Sequence, residues 1–563
     1  MKKTLLVLVM LVLAFGMVFA KGGKEAMDIS VFTIQQRQQP PADNKAYKWI
    51  EEKFGVTFTW DILVGDKDQK IGVLIASGDL PDMVEVDSEK FQGAGCLIDL
   101  KPLLEKYCPN LKKHYSSVWK KMVYQDSEKD ANGKIIAEHI YSLPNYGVYD
   151  GIPSDTYYNQ NGWWIQKAVL KEFGYPKITP VYEYFYLLEK YAKKYPTIDG
   201  MPTIPFSIIT ADWEAFDLWN PPNFLAGYPN DGNGHVTQDP KNKNKYIYTD
   251  NFADENAKRW FKLANGYFQR GLIDPASFTD NRDQYYAKIA QGRVLGMFIQ
   301  GWQFMGEPEQ ALWTAGKDER TYAPLPLTFD KSIKPWYRDQ ALPNLQRGYG
   351  ITVNCGEKKA IQILKFLDEI IKEENQKVLY WGFEGEDWQK DAQGRPSRTE
   401  AQRQQQKDPN WILHNRALLF TWEAPKMEGT MPSGYTNSMD DLPWEYELAA
   451  KEIDKEVWKA YGVGSYAEFV DKNPPKNAGW YPMWQCNPSP ENDGLEHDAA
   501  VAMTGFETLQ RKYLPMMIMG SPADFEKTWN EYVKQMKPLT DVYNKFMQKE
   551  LDARVEAFGG FQK

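Results

Sequence analysis

Two stretches carry acidic side chains in a setting suited to acid–base chemistry: "GFEGEDW", with Glu384, Glu386 and Asp387, and "FTWEAP", with Glu423. Glycoside hydrolysis needs one carboxyl group to protonate the leaving oxygen and a second to act as base or nucleophile, and their separation is spatial rather than sequential. These four are the candidates for such a pair, although acidic residues are so plentiful along the chain that spacing does not single them out. No GxSxG, Walker loop, HExxH or dinucleotide fingerprint occurs. The five histidines, His114, His139, His235, His414 and His497, show no metal-ligand spacing and read as surface or hydrogen-bonded residues. Asp126, Glu128, Asp130, Asn132 and Gly133 faintly resemble a calcium loop, but His139 stands where a bidentate Glu is needed. A hairpin turning at Asn132-Gly133 is the preferred reading. Cys96, Cys108, Cys355 and Cys486 form no CxxC pair and read as buried thiols, with Cys96 and Cys108 the nearest pair should a disulfide form. No catalytic residue, metal site or cofactor is assigned.

Aromatic residues are the strongest chemical signal. The chain holds 20 Trp, 33 Tyr and 27 Phe, and many sit beside polar or glycine residues, as in "NGWWIQ", "ADWEAFDLW", "QGWQF", "FTWEAP" and "AGWYPMW". Flat rings with negative faces suit the C–H-rich faces of sugars. Trp213 lies between Asp212 and Glu214, Trp302 between Gly301 and Gln303, and Trp422 just before Glu423 and Pro425. Each is a candidate stacking platform; the competing reading is that each packs in a local core, because Trp is usually well buried.

The elements that must position these rings alternate. A strand over "MDISVFT" leads into the Gln-rich loop "IQQRQQPPADN", then a helix over residues 45–54 and a strand over 56–63. In "IASGDLPDMVEV" (residues 75–86) Gly78 is a natural helix C-cap, Pro81 blocks resumption of the helix, and 83–86 reads as a buried strand. Such β-α-β-α-β order implies a largely parallel sheet, in which ligands bind beyond the carboxyl ends of strands. The loop holding Gln35 and Arg37 leaves the first strand at that end. The pattern restarts with "WWIQKAVLKEFGYP" and a helix over 181–194 that puts Tyr182, Phe185, Leu188 and Tyr191 on one face. A strand entering an aromatic loop follows at 296–304, and a periodic helix at 360–373. Ser521-Pro522-Ala523-Asp524 has the form of a capping box opening a helix that Pro538 ends, with a last helix after it.

The first 20 residues pair Lys2 and Lys3 with an apolar run ending in Val18-Phe19-Ala20, which reads as a cleaved signal peptide. No Cys follows it, so export without a lipid anchor is expected, to the periplasm or cell envelope. No second apolar stretch is long enough to span a membrane, and the roughly 540 residues that follow suffice for two or three domains. The net charge of −9, without a basic patch, argues against nucleic acid or anionic membrane as partner.

Several blocks, in order, resemble the extracellular solute-binding proteins of ABC transporters, specifically the group that captures oligosaccharides. They are "IASGDLPDMVEV", "LIDLKPLLEKYCPNLKK", "IYSLP", "YFQRGLIDPASFTDNRDQYYAKIAQGRVLGMF", "GFEGEDWQKDAQGRP" and "FEKTWNEYVKQMKPLTDVYNKFMQKELDAR". Two features depart from the pattern: Gln166-Lys167-Ala168-Val169-Leu170 replaces an Arg-Lys-Asp-Trp-Leu opening, and the lipid-bearing Cys is missing. The resemblance implies an α/β, two-lobed periplasmic-binding-protein-like fold with a ligand cleft between lobes and multiple crossovers. The expected division is a signal peptide at 1–20, a first lobe at 27–155 and a second at 156–340. A return to the first lobe at 341–384, second-lobe and cleft loops at 385–520, and terminal helices at 521–563 complete it. The resemblance further implies a monomer that passes an oligosaccharide to ABC permease subunits. The ligand-binding set becomes Gln35, Arg37, Ser77, Asp79, Tyr146, Trp213, Trp302 and Trp422, with Asp79 either binding a hydroxyl or only capping its turn. The rival readings are a secreted carbohydrate-active enzyme, hydrolase or lyase, and a ligand-triggered sensor.

Overall fold

Gly78 ends the Lys67–Ser77 helix in the left-handed conformation, at φ 68°, and its N–H donates to Leu74 and Ile75 carbonyls in the computed structural model of the chain. The structure describes residues 26–85, 89–130, 134–145, 156–229, 231–338, 345, 348–490 and 492–561. The expected signal peptide lies outside them, as does the tip of the 126–139 turn. Around that tip Glu128–Lys129 pairs antiparallel with Ile135–Ala137, the pairing of a hairpin.

The chain divides into two units: residues 1–127, 138–149 and 343–428, and residues 128–137, 150–342 and 429–563. The first unit thus reclaims the chain as far as Glu428, where the sequence reading returned it to the second lobe after residue 384. The cause is aromatic packing. Phe420 sits 5.1 Å from Phe58 and 5.7 Å from Phe366, joining the 418–423 segment to the core of the first unit.

In the first unit the sheet runs in the order Tyr349–Ile351, Met83–Glu85, Met27–Thr33, Val56–Ile62. The last three are parallel, as the alternating pattern requires, and Tyr349–Ile351 adds an antiparallel edge. Met83, Val84 and Glu85 are all buried, so the short strand is indeed interior. Asn44 caps the Lys45–Phe54 helix by accepting from the Tyr47 N–H, and Gly55 closes it in the left-handed region. Phe32, Ile71, Leu74, Val84 and Phe91 fill the space between sheet and helices.

In the second unit the order is Tyr322–Leu325, Asn161–Gln166, Val294–Gln300, Ile204–Ser207, with Asn161–Gln166 antiparallel to both neighbours. Trp163 packs at 5.2 Å from both Trp260 and Phe298, so the "WW" of this strand is core rather than surface. The Val181–Lys194 helix buries Tyr184, Phe185, Leu187, Leu188 and Tyr191, while Tyr182 is 53% exposed, against the expected face. Pro538 does not stop a helix: Phe525–Phe558 is continuous through it. The missing N–H costs a backbone bond, but packing against the Leu495–Met519 helix offsets it, with Tyr543 on Phe506 at 5.1 Å. This last helix also holds the Gly234–Asp239 and Asn242–Asp250 hairpin, through Gln548 on Tyr246 and Tyr248, and Tyr532 donates to the Phe252 carbonyl. All four cysteines are free thiols. Among the described residues no helix is long and apolar enough to cross a membrane, and no group of side chains forms a metal cluster.

Candidate functional site

The carboxyl end of the Met27–Thr33 strand gathers one set of polar groups. Parallel pairing of Val31 with Met83 and Phe32 with Val84 brings Thr33 beside Glu85. Buried Glu85 accepts from the Thr33 hydroxyl at 2.6 Å, the Ile34 N–H at 2.8 Å and the Gln35 amide at 3.1 Å. These bonds fix the start of the Gln-rich loop. Two residues on, the Arg37 guanidinium lies over the Trp422 ring, 5.0 Å from its centroid. Trp422 is 41% exposed on the Leu418–Glu423 helix, whose position is set by Phe420 in the core and by the Tyr349 hydroxyl donating to the Leu419 carbonyl. Asn145 donates to the Trp422 carbonyl at 3.1 Å.

The same register separates Ser77 and Asp79 from this set. They precede the Met83–Glu85 strand, at the amino ends of the parallel strands, whereas Gln35 and Arg37 follow the carboxyl end. Their bonds are those of a turn. The Ser77 hydroxyl donates to the Leu74 carbonyl and accepts from the Asp79 N–H, and Asn354 donates to the Gly78 carbonyl. Asp82 ties this turn to the sheet, accepting from the Ser30 N–H at 2.8 Å and from Lys359 at 2.7 Å. Lys359 and Ser30 hold its pKa below the usual carboxylate value, although burial pushes the other way. Tyr146 lies outside the described residues.

The acidic candidates are occupied structurally. Glu386 pairs with Lys45 at 2.8 Å, Glu384 with Lys390 at 3.5 Å, and Asp387 accepts from the Phe383 N–H within its own turn. Glu423 is buried at the end of the Trp422 helix.

A second set forms on the other unit where the Val294–Gln300 strand ends. Instead of the expected loop, residues Gly301–Phe304 make one helical turn. Gly301 is required there, because a Cβ would lie 2.7 Å from the Asn159 Cα. The Trp302 N–H donates to the Asn159 carbonyl, and its indole N–H to Gln300 Oε1 at 2.7 Å. Trp213 stands on the Asp212–Ala215 3₁₀ turn, which Asp212 enters at φ 48°. Such a backbone is strained for a non-glycine residue, and Arg511 braces it by donating to the Thr210 and Asp212 carbonyls. The Trp213 and Trp302 rings are parallel to within 3°, their centroids 5.8 Å apart, and 57% and 45% exposed.

Beneath them lies a polar base that sequence reasoning missed. Glu214 is fully buried and accepts from Arg282 at 2.8 Å, Tyr286 at 2.6 Å and Gln303 at 3.3 Å. Gln303 also donates to Asp217 at 3.0 Å. Burial, with the Glu214 charge beside it, raises the Asp217 pKa well above the carboxylate range, and the Gln303 bond opposes this. The i, i+3 acids within "DWEAFDLW" were the available signal: charge amid aromatics on one turn needs partners.

Two sets thus combine exposed indole faces with fixed amide and guanidinium donors, the chemistry of a polyhydroxylated ring with one apolar face. No family profile matches the chain. A curated relative, the fructooligosaccharide ABC transporter substrate-binding protein FusA of Streptococcus pneumoniae serotype 4, is 28% identical over 285 residues, 48% of this chain. The match spans 49% of that relative, about half its length. The solved structure of S. pneumoniae FusA with kestose aligns over 93% of this chain and 99% of its own, at TM-score 0.63 and 19% identity. The fold is that of an ABC-transporter substrate-binding protein. An HMO-binding solute-binding protein from Bifidobacterium longum infantis agrees, at TM-score 0.64 and 15% identity, over 94% of this chain and 99% of its own. Of the eight expected residues, the structure brings together Arg37 with Trp422, and Trp213 with Trp302. Gln35 anchors the first.

Proposed function

We propose that this chain is an exported substrate-binding protein that captures an oligosaccharide and delivers it, as a monomer, to the permease of an ABC importer. The observation that carries the reading is the Trp213–Trp302 pair. Two parallel indoles left open to solvent are costly to maintain unless a ligand covers them, and their base of Glu214, Gln303 and Asp217 holds them ready. Pre-organised rings of this kind lower the ordering cost of binding. The shared fold and the oligosaccharides named for FusA and the HMO-binding protein support the same substrate class. The signal-like first 20 residues support export.

The test is a thermal-shift screen of the mature chain against oligosaccharides, followed by calorimetry on the tightest. A ligand at a hundred times its Kd stabilises the folded state by about 2.7 kcal/mol, which a melting curve reads easily. The sugar should then be recovered unchanged by chromatography after long incubation. Steady release of shorter sugars, lost on E384Q or E423Q, would instead support the enzyme reading.

A further inference from the structure

Arg37 is the one feature of the two sets that the capture of a neutral sugar leaves unexplained. Its guanidinium lies against Trp422, its Nε is buried without a hydrogen-bond partner, and no carboxylate pairs with it among the described residues. Burial alone lowers its pKa from the ordinary value; no neighbouring acid raises it. The acid at this strand end, Glu85, is already committed to Thr33, Ile34 and Gln35. An arginine stays charged in any protein environment. A ligand stacking at Trp422 would therefore remove water from a cation that the protein does not neutralise, and an unpaired buried charge costs far more than a paired one. A hydroxyl returns only part of that loss; an anionic oxygen pair returns it with two parallel bonds, matching the planar fork. Beneath Trp422, Asn145 is 4% exposed, and its Oδ1 has no partner while its amide holds the Trp422 carbonyl. The set thus offers an aromatic face and a free cationic fork.

We propose that the oligosaccharide taken by this chain is acidic, and that Arg37 reads its carboxylate or sulfate while Trp422 carries the ring. This rests on the oligosaccharide-binding reading above and names the substrate class within it.

The experiment measures affinity of the mature chain for matched pairs. Oligogalacturonates and oligomannuronates are each compared with their carboxyl-reduced forms, and carrageenan oligomers with their desulfated forms; fructo- and malto-oligosaccharides serve as neutral references. One acidic member should bind at least ~tenfold tighter than its neutral partner, and which pair responds tells carboxylate from sulfate. That preference should weaken as salt rises. R37Q should weaken the acidic member at least ~tenfold and the neutral one less than ~threefold, and R37K, which keeps charge but not the fork, should fall between. Urea unfolding of each variant separates lost binding from lost folding. Tight binding of a neutral sugar without any acidic preference, or equal losses for both members in R37Q, overturns the proposal. Binding to none of the sugars, acidic or neutral, would instead remove the oligosaccharide reading on which it stands.

Discussion

Replacing Trp302 by alanine separates a ligand platform from a packing residue. A tryptophan can bury roughly 150–250 Å², and 45% of Trp302 is still exposed, which leaves roughly 70–110 Å² for a sugar ring to cover. At ~25 cal/mol/Å² this is worth about 2 kcal/mol, or ~30-fold in Kd. The stability of the unliganded chain should fall by less than the ~3–5 kcal/mol of emptying a full Trp core site, because only about half the ring is packed. W302F, which keeps an aromatic face but loses the bond to Gln300, should give an intermediate affinity. Calorimetry supplies the affinities and urea titration the stabilities of both variants. A W302A protein that unfolds far more easily yet binds sugar normally once folded would refute the platform assignment. So would a ligand that binds W302A and wild type alike.

Burial raises the pKa of Glu309 to about 7, opposed by Lys167, so the folded chain holds a proton there that the unfolded chain releases near 4.5. Its contribution to stability is complete below 4.5 and is lost as pH rises through about 7; E309Q should flatten that dependence in urea midpoints taken from pH 5 to 8. D82A should destabilise the folded chain by about 1–3 kcal/mol by leaving Ser30 and Lys359 without their acceptor, without changing sugar affinity once folded. S77A and D79A should leave affinity within about threefold in calorimetry, because both residues sit at the amino ends of the strands; a loss of ~tenfold or more would return them to the site.

Legibility followed locality. The Gly78 cap, the parallel alternation and the Val181–Lys194 helix rest on neighbouring residues, and composition around Trp213, Trp302 and Trp422 correctly marked rings left open to water. What depends on distant partners was hidden. Ser77 and Asp79 have the composition of a ligand loop, but the register of Val31 with Met83 decides which end of the sheet they occupy, and nothing local encodes it. Pro538 reads as a stop until a second helix packs across it. The base of Glu214, Gln303, Arg282 and Tyr286 draws on three separate segments, so its members look like ordinary surface polars in sequence.

The interleaving of the chain has a consequence for its biosynthesis. The sheet begun by Met27–Thr33 gains its antiparallel edge only at Tyr349–Ile351, and the hairpin ending at Asp250 waits for Gln548 and Tyr532 on the last helix. Closing such long loops adds little to the final free energy but slows folding, because distant pairings must be searched for. The first unit cannot complete itself on the ribosome until Glu428 has been added, and the second not until the last helix has been made. The nascent polypeptide therefore keeps apolar segments of each unit uncovered until their distant partners emerge.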